Sequence, residues 1–333
     1  MKIDIHTHII PERMPDWAAK FGYGGFVHLD HHANCRARMM IGDKFFREVE
    51  SNCWSADTRM EECNHHHVDF QVISTIPVMF SYWAKANDAL ELSRFLNDHI
   101  AEIVANHPTR FIGLGTIPMQ DPEMAARELE RCMDIGLAGV QIGTHIVDDW
   151  NLSSPALLDI FRTAAKRNAA VFVHPWEMMG QERMPRYWLP WLVGMPAETS
   201  LAICSMIFGG VFEKIPDLRV AFAHAGGSFP GTFGRIEHGF HARPDLVAIH
   251  NNVNPENYLG KFWVDSLTHH LPALKNVVDL LGEHTVCLGS DYPFPLGEDS
   301  PGKMIEESDF NLSLKEKLLW RNAENWLGRK IFS

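Results

Sequence analysis

The chain alternates short apolar runs with longer stretches whose apolar residues fall at helical spacing. The runs are KIDI (2–5), FQVIST (70–75), FIGLGT (111–116), AGVQIG (138–143), AAVFVH (169–174), LRVAFAH (218–224), FWVDS (262–266) and TVCLGS (285–290). Strands buried on both faces read this way, as near-continuous apolar segments. Between them, residues 87–107 carry a helical stripe, and 121–135 opens with an Asp cap and a Pro at the first helical position. Residues 153–168 open with Ser and Pro in the same way, and 313–328 ends on a glycine. Eight runs alternating with helices predict parallel pairing and an α/β fold, a (β/α)8 TIM barrel. A doubly wound open sheet is the competing arrangement, but no GxGxxG follows the first run.

Two segments depart from the alternation. Residues 12–56 are too long for an ordinary βα loop. They predict a small inserted lobe or hairpin over the barrel mouth, within a single barrel domain covering 1–333. The stretch WLPWLVGMPAETSLAICSMIFGGVF (188–212) is long enough to span a bilayer. Pro190, Pro196 and Glu198 interrupt it and Gly209-Gly210 loosens its end, so it reads as a buried loop and a core helix rather than a membrane segment.

Composition narrows the classes. A chain of 333 residues, 46% hydrophobic and 22% charged, is an ordinary globular protein with room for a large core. A formal charge of −12 argues against nucleic acid and anionic membranes as partners. It leaves an acidic small molecule open, because a few arginines in one pocket can hold a dianion. The six cysteines form no CxxC pair and no disulfide framework. The first run starts at residue 2, which leaves no room for a leader, so reduced thiols in the cytosol are expected.

The nineteen histidines bear on metal chemistry. His6 and His8 stand two apart at the end of the first run, so they share a face roughly 7 Å apart by Cα. Alone, such a pair is as well explained by ordinary hydrogen bonding. The fifth run, however, ends on His174, the sixth on His224, and Asp291 lies just past the eighth. Separate strands thus deliver imidazoles and a carboxylate to the C-terminal rim, where barrel active sites sit. Core packing gives no reason for that. His6, His8, His174 and Asp291 suit one borderline divalent ion such as zinc, with a coordination position left open. Such an ion lowers the pKa of water towards roughly 7, and His224 is then the natural general base. A binuclear site usually takes a Lys or acid from strand four, and VQIGTH offers neither, so a single metal is favoured. His145, in the loop after that run, reads as a loop residue. NHHHVDF (64–70) sits at a helix end on the wrong rim, and HLDHH (28–32) lies in the inserted lobe; both read as solvated histidines.

The HxH…His…His…Asp pattern resembles the amidohydrolase superfamily. The strings STIPVMFSYWAK, VQIGTH, FVHPWEMM, YWLPWLVGMPAET, GGVFEKIPDLRVAFAHAGGSFP and LGSDYPFPLGE, spread over residues 1 to 330, narrow this to the metal-dependent 2-amino-3-carboxymuconate-6-semialdehyde decarboxylase family. The resemblance implies zinc-dependent, non-oxidative decarboxylation of 2-amino-3-carboxymuconate 6-semialdehyde to 2-aminomuconate 6-semialdehyde. That step of the kynurenine route of tryptophan breakdown limits quinolinate and NAD formation. It also implies one Zn2+ per subunit and a homodimer. The family's zinc ligands fall on His6, His8, His174 and Asp291, and its catalytic histidine on His224. Its substrate-carboxylate arginines fall on Arg47 and on Arg235 of the partner subunit, and its pocket aromatics on Trp191 and Phe294. Without the family, Arg235 reads as a surface helix residue and both aromatics as packing. The family often has Gly at Ala225 and Asp at Glu177, departures that bear on fine positioning.

Three functions share this metal set: the decarboxylation above, decarboxylation of an aromatic acid, and hydrolysis of an amide or lactone. A non-catalytic zinc protein is a fourth reading, and it requires closed coordination. The product distinguishes the first three, CO2 release against ring opening.

Overall fold

A computed structural model describes residues 1–147 and 151–332. The strands are β1 (Ile3–His8), β2 (Val27–Ala33), β3 (Arg36–Ile41), β4 (Lys44–Glu50), β5 (Phe70–Ser74), β6 (Phe111–Gly115), β7 (Gly139–Gly143), β8 (Ala170–His174), β9 (Arg219–Phe222), β10 (Trp263–Asp265) and β11 (Val286–Cys287). Eight of them pair in the order β1-β5-β6-β7-β8-β9-β10-β11, every pair parallel. The segment after β11 returns to β1 through Ile5 N–H to Leu288 O (2.9 Å), Asp291 N–H to His6 O (2.8 Å) and His8 N–H to Tyr292 O (2.8 Å). The sheet is thereby drawn round into the (β/α)8 barrel expected from the alternation.

Each expected run is a strand; the first starts one residue later and extends three further, through His8, and the others are trimmed by one to four residues, the last to Val286–Cys287 because the chain turns early towards β1. Burial explains the runs. β1, β6, β7 and β8 are buried at every position, so a polar outward face has nowhere to be. The helix Pro122–Asp134 illustrates how the outer layer forms. The Asp121 side chain accepts from Met124 N–H, Pro122 opens the first turn, and Ala125, Leu129 and Cys132 repeat on one buried face. Burying Leu129 alone contributes about 2 kcal/mol, and loss of the cap costs about 1. Inside the barrel, fully buried Trp326 clusters with Ile3, Val72, Ile112 and Ala170 at the beginnings of strands. Phe172 lies 6.0 Å from the Trp326 ring and 5.0 Å from the His6 ring, a stack that carries packing up to the rim histidines.

Residues 27–50 form a three-stranded antiparallel sheet in the order β2-β3-β4. Its inward residues, Val27, Ala37, Met39 and Val49, share an apolar cluster with Ile10, Trp54, Ile76 and Leu96. Its last strand carries Phe46 and Arg47 to the wall of a cavity that His8 and Asp291 also line.

The 188–212 stretch departs from its reading. The segment expected as a buried loop is a π-turn, Pro190–Gly194, running directly into the helix Met195–Phe208. Pro190 opens the turn, where no N–H is needed, and the wider turn accommodates Pro196. The combined helix Pro190–Phe208 is long and apolar enough to cross a membrane, with 44% of its most apolar window buried. Ala202, Ile203, Met206 and Ile207 enter the main core, while Leu192, Val193 and Leu201 are exposed.

Candidate metal centre and active site

Four strand ends meet at one point. The ligand atoms of His6, His8, His174 and Asp291 lie within 4.8 Å of one another, and all four residues are buried. Asp291 Oδ1 is 3.2 Å from His6 Nε2 and 3.1 Å from His8 Nε2. The imidazoles stand edge to face, with centroids 5.0–5.1 Å apart. Among the described residues this is the one such group of three or more possible ligands.

The hydrogen bonds behind the rings test whether a cation fits. His6 Nδ1 is 2.7 Å from Asp265 Oδ2, His8 Nδ1 is 3.0 Å from Thr75 O, and His174 Nδ1 is 2.6 Å from Pro175 O. Carboxylate and carbonyl oxygens only accept, so each Nδ1 carries a proton and each Nε2 turns its lone pair inward. All three Nε2 atoms are buried without a hydrogen-bond partner. Unsatisfied buried acceptors are costly, and three converging on one carboxylate form a donor set suited to a divalent metal. Electrostatics agree. Burial holds His8 below its ordinary pKa; burial and the neighbouring imidazoles hold His174 well below. Burial also opposes charge on His6, yet Asp291 and Asp265 lift it to about 10. Asp291 stays well below the carboxylate range despite burial, because His6 and the other imidazoles favour its charge. The two carboxylates thus call for positive charge at this point.

His224 faces the same point from a tight turn, its Nε2 3.8 Å from Asp291 Oδ2. The turn is conformationally demanding: His224 has φ +56° and Ala225 +54°. That region favours glycine, so the side chains at both positions are held there at a cost. Here Asp265 steadies the turn, accepting from the N–H groups of His224 (2.8 Å) and Ala225 (2.7 Å). Gly227 admits no substitute, because a Cβ there would sit 2.3 Å from Pro196 O.

A cavity of about 300 Å³ opens beside the cluster, lined by His8, His174, Asp291, Arg47, Trp191 and Phe294 among others. The Arg47 guanidinium lies 4.6 Å above the Phe294 ring, and that ring is 5.7 Å from His8. Among the described residues Arg47 has no carboxylate partner in an ion pair, so its fork is available to an anion. Trp191 also lines a neighbouring cavity of about 380 Å³ onto which His224 opens. Glu177 is exposed at the first cavity's edge. Arg235 lies on the helix Phe229–Ala242, exposed, and lines neither cavity of its own chain.

The remaining histidines lie elsewhere. His65 ends the helix Ala56–His65, with His66 and His67 just beyond it before β5. On β2, His31 Nε2 is 2.8 Å from Glu12 O and His32 is 3.4 Å from Glu48. His145 packs tilted against Trp176 with its Nδ1 3.4 Å from Glu198.

Sequence reasoning missed three supports. Asp265, at 0% exposure, holds both His6 and the His224 turn. The aspartate that closes FWVDS was its visible signal, a polar end to an apolar run like those of the selected rim residues. Arg59, also at 0%, donates to His8 O (2.6 Å), Thr7 Oγ1 (3.0 Å) and Gln71 Oε1 (3.1 Å) and fixes β1 from behind. Gln141 accepts from Ser74 Oγ–H (2.6 Å) and donates to Thr75 O (2.9 Å), the carbonyl that orients His8. Nothing local marks either.

Comparison with known proteins agrees with this geometry. The family described as Amidohydrolase matches residues 3–329. A 2-amino-3-carboxymuconate-6-semialdehyde decarboxylase of Dictyostelium discoideum is 60% identical, over 98% of this chain and 92% of that protein. The Caenorhabditis elegans protein of the same name is 38% identical, over 98% and 94%. A solved dihydroxybenzoic acid decarboxylase from Polaromonas sp. JS666, with bound manganese and an inhibitor, shares the fold with a TM-score of 0.79 at 21% identity, over 98% of this chain and 96% of that one. The chain belongs to the amidohydrolase family, among its 2-amino-3-carboxymuconate-6-semialdehyde decarboxylases, and is a carboxy-lyase.

Proposed function

We propose that the protein removes CO2 from 2-amino-3-carboxymuconate 6-semialdehyde, giving 2-aminomuconate 6-semialdehyde in the kynurenine route and so limiting quinolinate and NAD formation. The observation that carries this reading is a His/Asp donor set with inward lone pairs that lies between two adjoining cavities, one with an arginine on its wall and the other with His224, whose Nε2 is 3.8 Å from Asp291. The 60% identity of the Dictyostelium relative supports the choice of substrate.

His6, His8, His174 and Asp291 would hold one zinc ion, favoured by three imidazoles and one carboxylate. Bound there, the ion supplies Lewis acidity, polarising a substrate oxygen and lowering the pKa of water. Arg47 binds one substrate carboxylate in a forked, charge-assisted contact. Phe294 and Trp191 flank the planar conjugated chain. His224 takes a proton at Nε2 from the water that adds to the unsaturated carbon. His224 passes that proton to the neighbouring carbon that bears the carboxylate. The carbon–carboxylate bond then breaks, its electron pair re-forms the double bond, and the added hydroxide leaves and takes a proton from solvent, so that hydrogen stands in the vacated position. Arg47 and Arg235 offset the negative charge that builds up. Arg235 would come from the partner subunit in a homodimer, since it is exposed and lines neither cavity of its own chain. The sheet at 27–50 is read as a lobe over the mouth that brings Arg47 to the substrate. Six unpaired cysteines fit a reducing compartment, the cytosol.

The test is metal analysis of the purified protein with a CO2-release assay on the muconate semialdehyde, beside 2,6-dihydroxybenzoate and a lactone. Zinc near one equivalent and turnover of the semialdehyde alone are expected. Preferred turnover of the aromatic acid, or lactone hydrolysis without CO2 release, would overturn the reading.

A further inference from the structure

We infer that Asp265 is a positioning residue whose single carboxylate ties the metal set to the turn that carries the catalytic histidine. The inference rests on the reading of His6 as a ligand and His224 as the proton carrier.

Asp265 ends β10 and is fully buried. Each of its oxygens has two N–H donors. Oδ2 accepts from His6 Nδ1–H at 2.7 Å and from the backbone N–H of His224 at 2.8 Å. Oδ1 accepts from the N–H groups of Ala225 at 2.7 Å and Leu267 at 3.0 Å. An ionised carboxylate offers about four lone-pair sites, so its capacity is filled. Among the described residues its one ion-pair partner is His6; no Lys or Arg accompanies it. A buried carboxylate without a permanent cation is expensive. Charge held by His6, or by an ion His6 binds, is what offsets it.

A second observation shows that the approach of His6 to Asp265 is built in. At Gly289 a Cβ would lie 2.6 Å from Asp265 Cβ and 2.9 Å from His6 Cβ. Any side chain there would wedge the pair apart. Gly289 has no positive φ, so clearance is its requirement rather than backbone freedom.

Two consequences follow. Asp265 fixes His6 in the tautomer that aims Nε2 at the metal, and the same oxygen holds His224 N–H. Movement of the His6 ring therefore reaches the His224–Ala225 turn, whose left-handed backbone needs outside support. Metal binding and placement of His224 become one coupled event, although His224 is not among the ligands.

The experiment uses the full-length protein. In D265N the amide keeps one acceptor oxygen, so two of the four donors face an NH2 group. D265N should bind zinc 10- to 100-fold more weakly in chelator competition, and its kcat at saturating zinc should fall well beyond any change in KM. G289A should shift both in the same direction. Hydrogen exchange on the wild type gives a readout that does not depend on either variant folding. Amides in peptides spanning 224–225 should exchange faster once zinc is stripped, and return to slow exchange when it is restored. Unchanged exchange at 224–225 on stripping, or a folded D265N with wild-type zinc affinity, would overturn the coupling. Failure of the functional reading looks different: the zinc-loaded wild type would release no CO2.

Discussion

Replacing Arg47 with alanine removes the one Lys or Arg that, among the described residues, lines the cavity beside the metal set, and its cost can be worked out beforehand. The guanidinium sits over Phe294 at 4.6 Å, partly buried, and among the described residues no carboxylate forms an ion pair with it. Losing a hydrogen bond to a charged partner costs about 1.5–3 kcal/mol, which corresponds to roughly a 10- to 150-fold loss in kcat/KM. The loss should fall mainly on KM if the contact is the same in ground and transition states. R47K keeps the charge but not the planar fork, so it should recover only part of the loss. Stability should fall by no more than about 1–2 kcal/mol, the contribution of a partly desolvated cation–π contact. Steady-state CO2 release by wild type, R47A and R47K, with thermal melts as a control, reads all of this. A well-folded R47A with KM within twofold of wild type would refute the assignment of Arg47 as a carboxylate receptor.

H224A should retain zinc near one equivalent while kcat falls by about 10²–10⁴, the usual contribution of general acid–base catalysis; full turnover in that variant would remove His224 from the chemistry. Assayed at substrate well below KM, R47A and R235A are each expected to lose about 10- to 150-fold as pure dimers, yet their mixture should regain about a quarter of wild-type activity. Half of randomly mixed dimers are hybrids, and each hybrid rebuilds one of two sites; no recovery on mixing would place Arg235 outside the partner's site. Burial pushes Glu298 from 4.5 up to about 7. The folded state therefore holds its proton more tightly, a contribution fully present below pH 4.5 and lost as pH rises to about 7. E298Q should remove that slope and exceed wild type at pH 8 by about 1–3 kcal/mol, read by urea unfolding at pH 5 and pH 8; parallel stability curves for the two proteins would contradict it.

What could be read from the chain divides along a physical line. The barrel was legible because parallel strands buried on both faces must be apolar throughout, and this leaves a mark in every run. The rim residues were legible because each interrupts such a mark: His174 closes AAVFVH and His224 closes LRVAFAH. Asp265 interrupts FWVDS in the same way, and it went unselected because its partner His6 lies 259 residues away. Arg59 was hidden for a related reason. It sits in the polar helix ADTRMEECNH, and only the return of β1 beneath that helix buries its guanidinium. The prolines of the 188–212 stretch misled in the opposite direction. Proline is a local signal for breakage, but Pro190 opens a helical turn and the adjoining π-turn takes up Pro196. Local rules therefore located what each strand carries, and long-range contacts decided what supports it.

Charge at the site sharpens the distinction between the barrel and its function. Asp291 and Asp265 each bring one negative charge, and a divalent ion on the histidines would offset both. Asp4, on β1, is raised by burial to about 6 and adds further negative charge. Among the described residues of one chain, Arg47 is then the single Lys or Arg left on the cavity wall for the proposed substrate with two carboxylates. A monocarboxylate would be matched by one chain alone, whereas a dicarboxylate leaves a charge to be met from outside it. The net charge of −12 makes that need sharper, since the protein's own field opposes a dianion at long range. A second arginine delivered across a subunit interface answers it, and the exposed position of Arg235 is where such a residue would have to be. Substrate choice between a dicarboxylate and an aromatic monoacid therefore depends less on the shared metal set than on whether two arginines reach one cavity.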